Sequence, residues 1–227
     1  MDTLPELPLT MSYLQLNCYK TCPKQFWHRF LAKDCPAEVK TGRQNTGIET
    51  HDAIKRRFKL REPLPPELQQ HEHTCAAILA DTESQQHVEL GLGCTSDGTA
   101  CDFFDSACRL RARLDFVGLR PAVACIIDWK TGKAWEDPFE LNVQALLLKI
   151  HYPALETIRG FYWWLRHDKP GHIYDFDPAR TWGVVVRQMQ SIRFRIDNKD
   201  WPPDDNPLCP WCPVSKTQCA FKKDPPT

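Results

Sequence analysis

The sequence predicts an α/β fold, a central mixed β-sheet flanked by helices, and three observations carry the prediction. From His87 to Lys130, strand-like patterning replaces the helical spacing that precedes it. Inside that stretch the apolar run from Val123 to Ile127 reads as a buried central strand. Directly afterwards Phe139, Val143, Leu146, Leu147 and Ile150 recur at helical spacing, and a further strand-like run, "ETIRGFYWWL", follows.

Taken in order, Ser12 is a candidate N-cap for a short helix through Tyr19, and Pro23, suited to a first helical turn, opens another through Lys33. Phe26, Trp27 and Phe30 give that second helix an apolar stripe. "NTGIETHDAIKRRFKL" reads as a helix with Ile48, Ile54 and Phe58 inward and His51 near its first turn. Residues 62–86 are broken by proline, then helix-like, a helical insertion. Three strands follow, "HVELGLGC", "CRLRARLDFVGL" and "AVACIIDWK", the last two joined by the short turn "RPA". Asp137 and Pro138 mark the start of the next helix, and "HIYDF" is a further strand after "ETIRGFYWWL". "DPARTWGVVVRQMQSIRFRI" opens on a helix cap, with Gly183 and a valine run weakening its first half.

With 227 residues, 42% of them hydrophobic, the chain can bury one sizeable core, so 1–227 is read as a single domain. No apolar run is long enough to span a membrane and "MDTLPELPLT" lacks the regions of a signal peptide, which predicts a soluble, intracellular protein. A net charge of zero excludes bulk attraction to nucleic acid but not local patches. Those are Lys55–Arg61, Arg109–Arg113, and Arg187 with Arg193 and Arg195. The 11 cysteines lack the even, dense spacing of a secreted disulfide framework, and in a reducing compartment they are thiols or metal ligands.

The sharpest chemical signal is Asp115 in "RLDFVGL" with Asp128 and Lys130 in "IIDWKTG". Side chains two apart in a strand share a face, and pairing through "RPA" brings Asp115 toward Asp128 and Lys130. Paired carboxylates suit a hard divalent cation such as magnesium, and an ammonium beside them suits a phosphodiester undergoing hydrolysis. On spacing alone, an ordinary salt bridge at a strand end is the favoured reading of the same trio.

Those motifs, in the order His51, Asp115, Asp128-x-Lys130-Thr131-Gly132 and Gln144, resemble the RecB-like branch of the PD-(D/E)XK nuclease superfamily over nearly the whole chain. The resemblance implies a restriction-endonuclease-like core and a DNA exonuclease dependent on Mg2+ or Mn2+. It implies that Asp115 and Asp128 bind the metal with His51 and the backbone carbonyl of Trp129, that Lys130 acts on the attacking water, and that Gln144 steadies the site or touches DNA. Glu89 stands where relatives often carry an accessory acidic ligand. Leu148 stands where the family usually has tyrosine; Tyr152, two helical turns beyond Gln144, is the candidate substitute. Recombination, repair, phage replication or CRISPR adaptation would supply the setting, in the cytoplasm of a prokaryotic or phage-infected cell, with DNA and a protein of such a system as partners. A non-cleaving nucleic-acid-binding or docking module on the same fold, or a structural four-cysteine zinc protein, is the alternative.

"CPWCPVSKTQC" places Cys209, Cys212 and Cys219 within eleven residues, three ligands of a four-ligand site. "YKTCPKQF" matches the Y-x-x-C-P-x-x-F signature of the family's iron-sulfur members, which implies Cys22 as the fourth ligand of a 4Fe-4S cluster. Cys18 is the competing donor, although Pro23 argues for a chain break that leaves Cys22 at a helix mouth. Cys35 precedes a proline without matching context. The four thiolates are chemically acceptable to Zn2+ as well, and either group would clasp residues 10–35 to 200–227.

Overall fold

The structure, a computed structural model, describes residues 2–36, 42–132 and 137–224, with the side chains of 43–45 also outside the described set. The N-terminal helices are α1 (Tyr13–Thr21) and α2 (Pro23–Phe26), then α3 (Gly42–Leu60) and α4 (Glu72–Leu79). Strands β1 (Gln85–Cys94), β2 (Ala100–Cys101), β3 (Leu110–Leu119) and β4 (Val123–Lys130) lead into α5 (Phe139–His151) and β5 (Thr157–Trp164). Two short strands, β6 (Lys169–Pro170) and β7 (Tyr174–Asp175), precede the long α6 (Pro178–Asn198). Among the described residues no helix is long and apolar enough to cross a membrane.

The sheet runs β2-β1-β3-β4-β5-β6, with β7 also paired to β5. Neighbours are antiparallel except β4 and β5, which are parallel because α5 carries the chain back across the sheet between them. The mixed sheet is therefore as predicted. One face packs on α1, α5 and α6 through Leu16, Leu141, Leu147, Val185 and Met189. The other packs on α3 and α4, where Phe58 stacks on Trp129 at 5.4 Å and 6°.

At the middle of the sheet the alternation breaks. Leu90 and its partner Leu114 pack on the α5 side, whereas Val88 and its partner Phe116 pack on the α3 side. Residues two apart in a regular strand share a face, so the chain must rotate between them. Glu89 supplies the rotation with a left-handed backbone, φ 57°, a conformation that costs a non-glycine residue ~1 kcal/mol or more. Pairing of β3 with β4 starts only at Phe116 with Ile127, so Asp115 and Asp128 stand at the mouth of a fork.

Several local expectations are corrected. Ile48 is 44% exposed, because it lies off the stripe set by Ile54 and Phe58 on a 3.6-residue helix. The segment after Pro23 is α-helical only to Phe26, then winds as a π-helical turn, Trp27–Ala32, and stops at left-handed Lys33. Ser12 precedes α1 without capping it, since its hydroxyl donates to Gln15 Oε1 at 2.6 Å. "HIYDF" shrinks to the two residues of β7. α6 is continuous through Gly183, started by Asp177, which accepts from the Arg180 N–H at 3.0 Å.

Candidate active site

The fork gathers groups from six elements. Asp128, 3% exposed near the end of β4, accepts from Gln144 Nε2 at 3.0 Å and lies 2.7 Å from Lys130 Nζ. Lys130 also donates to Glu140 Oε2 at 2.8 Å and sits over the Tyr162 ring, 5.4 Å from its centroid. Glu140 and Gln144 are four apart on α5 and share the helix face that meets β4. Across the fork, Asp115 Oδ2 accepts the Trp129 N–H at 3.1 Å, replacing the missing ladder bond. His51, on α3, places Nδ1 3.9 Å from that carboxylate oxygen, its ring edge-on to Trp129. Glu89 joins from β1, 3.7 Å from Arg113.

Burial and like charge define the electrostatics. Burial, then the neighbouring Asp128 charge, pushes the Asp115 carboxyl up to about 8. The same two causes raise Glu140. Burial works against the Lys130 charge, but the Asp128 and Glu140 carboxylates overcome it and hold the ammonium above the ordinary lysine range. Burial lowers His51 despite the attraction of Asp128, which favours the neutral imidazole, the form able to ligate a metal. Burial and the nearby Glu140 push the Tyr13 hydroxyl of α1 up to about 12.

Asp115, Asp128, Glu140 and Glu89 thus outnumber the single buried ammonium, and Gln144 Oε1 is buried without a hydrogen-bond partner among the described residues. Hard oxygen donors with surplus negative charge are the chemistry a divalent cation takes, and the residues fit one. The donors surround the position without being closed on it: among the described residues no group of three or more His, Cys, Asp or Glu side chains is arranged to hold a metal ion.

The sequence reading thus named six neighbouring residues, His51, Glu89, Asp115, Asp128, Lys130 and Gln144, with the Trp129 backbone between them. It missed Glu140, although its spacing to Gln144 was a usable signal, and Tyr162, which is placed by the parallel register opposite Asp128. Tyr152 is not brought in. It caps the far end of α5 and lines a cavity with Leu119 and Pro121, because eight residues along a helix carry it ~12 Å from Gln144.

At the chain ends, Cys22, Cys209, Cys212 and Cys219 line one small cavity, and Cys18 does not. Cys18, on the buried face of α1, packs in the core, and burial pushes its thiol up to about 12, the environment of an inert structural cysteine. The Asp204 N–H donates to Cys22 Sγ and the Asn206 N–H to Cys209 Sγ, each at 3.4 Å. N–H groups aimed at sulfur suit thiolate ligands, so the donor chemistry suits a four-cysteine group, although these sulfurs too are not arranged to hold a metal ion. The two segments are further joined by Asn206 Nδ2 to Thr21 O at 3.2 Å and by Trp201 stacked on Phe26.

Of the three basic stretches, the first is paired through Arg56 with Glu62 and Arg57 with Glu72. The last is paired through Arg193 with Asp197 and Arg195 with Asp200. The middle one is paired through Arg109 with Glu6 and Arg113 with Glu89, and its Arg111 and Arg113 lie on β3 before Asp115.

No curated protein shows significant similarity to the chain. Solved structures resemble it at low identity, two of them as follows. The crystal structure of a protein named "putative exonuclease" from Eubacterium rectale is 13% identical, with a TM-score of 0.52, over 89% of this chain and 86% of that one. The crystal structure of SSO0001 is 15% identical, with a TM-score of 0.48, over 96% of this chain and 90% of that one. The sequence profile of the PD-(D/E)XK nuclease superfamily matches residues 82–219, which include the fork strands, α5 and the three C-terminal cysteines. With that match covering more than half its length, the chain belongs to the PD-(D/E)XK nuclease superfamily.

Proposed function

We propose that this protein is a divalent-metal-dependent DNA exonuclease of the RecB-like iron-sulfur type. The observation that carries the reading is Asp128, buried at the fork and held between Lys130 and Gln144 with Asp115 beside it. A Mg2+ or Mn2+ ion held by Asp115 and Asp128, with His51 and the Trp129 carbonyl, would supply charge for the phosphoryl oxygens and raise the acidity of bound water. Lys130 is kept cationic by its two carboxylates, so its part is to donate to the attacking water and to neutralise charge developing on phosphorus. Glu140, raised by burial and bonded to the same ammonium, is placed to take the proton from a water held there. Gln144 fixes the Asp128 carboxylate in one orientation.

The exonuclease reading also draws on the name of the Eubacterium rectale neighbour. A 4Fe-4S cluster on Cys22, Cys209, Cys212 and Cys219, with Zn2+ as the alternative, would tie the chain ends together beside the nuclease core. Recombination, repair, phage replication or CRISPR adaptation would then be its setting.

The test is cleavage of end-labelled DNA with Mg2+, Mn2+ or chelator, alongside iron and sulfide analysis of anaerobically purified protein. Metal-dependent shortening from the ends that disappears in Asp128→Ala and Lys130→Ala supports the reading. Full activity in both folded variants rejects it, and one zinc with no sulfide replaces the cluster by zinc.

A further inference from the structure

The loop between β2 and β3 carries the most exposed large apolar side chain among the described residues, Phe104, 80% exposed. It stands on a built support. Phe103 meets Phe104 edge-to-face at 4.9 Å and lies on β1 at Gly91, where an added Cβ would come within 3.2 Å of its ring. The Arg111 and Arg113 guanidinium groups lie 4.7 and 5.1 Å from the Phe103 centroid, and Arg111 also faces Phe104 at 6.0 Å. Arg111 Nη1 donates to the Phe103 carbonyl at 3.4 Å, fixing the loop to the strand.

This support is continuous with the fork. Arg111 and Arg113 share one face of β3, so the guanidinium groups stand four and two residues, ~13 and ~7 Å along the strand, before the catalytic carboxylate of Asp115. Arg113 bridges the gap, meeting Glu89 at 3.7 Å. The loop also carries two exposed carboxylates, Asp102 at its entry and Asp105, which accepts the Ala107 N–H at 2.7 Å. An exposed ring beside cations that lead into a nuclease site matches the needs of an unpaired strand, whose bases offer π-faces and whose phosphates pair with guanidinium. A duplex keeps its base faces stacked and unavailable to a ring.

We propose that Phe104, Phe103, Arg111 and Arg113 form a stacking platform that holds a single DNA strand and leads it along β3 to Asp115, giving the site a preference for unpaired ends. The proposal rests on the nuclease reading for what happens to the strand, not for its capture. Fluorescence anisotropy with a short labelled oligothymidylate and a blunt hairpin, both in chelator, tests it. Wild-type protein binds the single strand more tightly. Phe104→Ala weakens that binding by about tenfold and leaves hairpin binding unchanged, and Phe104→Trp restores it. Arg113→Gln lowers the slope of log affinity against log salt by about one.

Equal single-strand affinity in wild-type protein and Phe104→Ala, or tighter hairpin binding, overturns the platform. So does an effect of Phe104→Ala confined to self-association, which would make the loop a protein-docking surface. Cleavage with Mn2+ on the same samples separates the two readings. Wild-type protein that binds but never cuts removes the nuclease assignment and spares the platform; cutting with unaltered Phe104→Ala binding does the reverse.

Discussion

Asp115→Asn should make the metal-free protein more stable while abolishing cleavage. The Asp115 carboxyl, 15% exposed and facing Asp128, moves from an ordinary 3.8 to about 8 on folding. A group whose folded value is raised favours the native state below its unfolded value, and that contribution is lost as pH rises toward the folded value. In chelator, stability should therefore fall between pH 4 and pH 8. At about 1.4 kcal/mol per unit, the roughly three units from the ordinary value to pH 7 cap the effect at ~4 kcal/mol. Asn can still accept the Trp129 N–H while donating poorly to its other neighbours, so a gain of ~2 kcal/mol at pH 7 is expected, roughly 4–8 °C in melting temperature. Melting curves of both proteins at pH 4, 6 and 8 in chelator give the answer, the two converging at the acid end. A difference that stays constant with pH, or a less stable Asn variant at pH 8, would refute buried like-charge repulsion as the defining property of the fork. Adding Mn2+ to wild-type protein should remove most of the difference.

Three further outcomes follow from the geometry. Gln144→Ala removes the donor to Asp128 and should lower single-turnover cleavage roughly tenfold with DNA binding unchanged, whereas Gln144→Glu, which sets another carboxylate against Asp128, should lose more. Phe58→Ala deletes a ring that is 3% exposed between Trp129 and Phe116 and should cost ~3–5 kcal/mol in urea unfolding; a loss below ~1 kcal/mol would deny Trp129 its support. Cys22→Ser should lose iron and sulfide and speed hydrogen exchange over residues 200–224, with Cys18→Ser keeping both metal content and exchange; equal effects of the two would remove Cys22 from the ligand set.

Much of the site was legible because its groups lie at spacings that strands and helices fix. Asp128 and Lys130 are two apart in a strand, and Asp115 is reached through one three-residue turn. Glu140 was equally legible, four residues before Gln144, but its charge marks any solvated first turn, and only the meeting of α5 with β4 gives it meaning. Tyr162 needed the parallel register of β4 and β5, which no local pattern encodes. The rotation at Glu89 left no trace in the sequence, because a left-handed glutamate is set by its surroundings and not by propensity. Tyr152 was misplaced for a simpler reason: position along a helix mattered more than residue type.

The β4–α5–β5 crossover has a consequence for the order in which the site can come into being. Asp128, Lys130, Glu140, Gln144 and Tyr162 all belong to this one unit, so they meet by closing short segments of chain, while Asp115 is one turn away. Loop closure costs rise only slowly with length, yet contacts distant in sequence must await the docking of whole elements. His51 is such a contact, since it arrives on α3 from across the helical insertion. A chain with the crossover formed and α3 still undocked would hold Asp128 and Glu140 with Asp115 one turn away but lack the imidazole, so the site is complete only once that helix is seated.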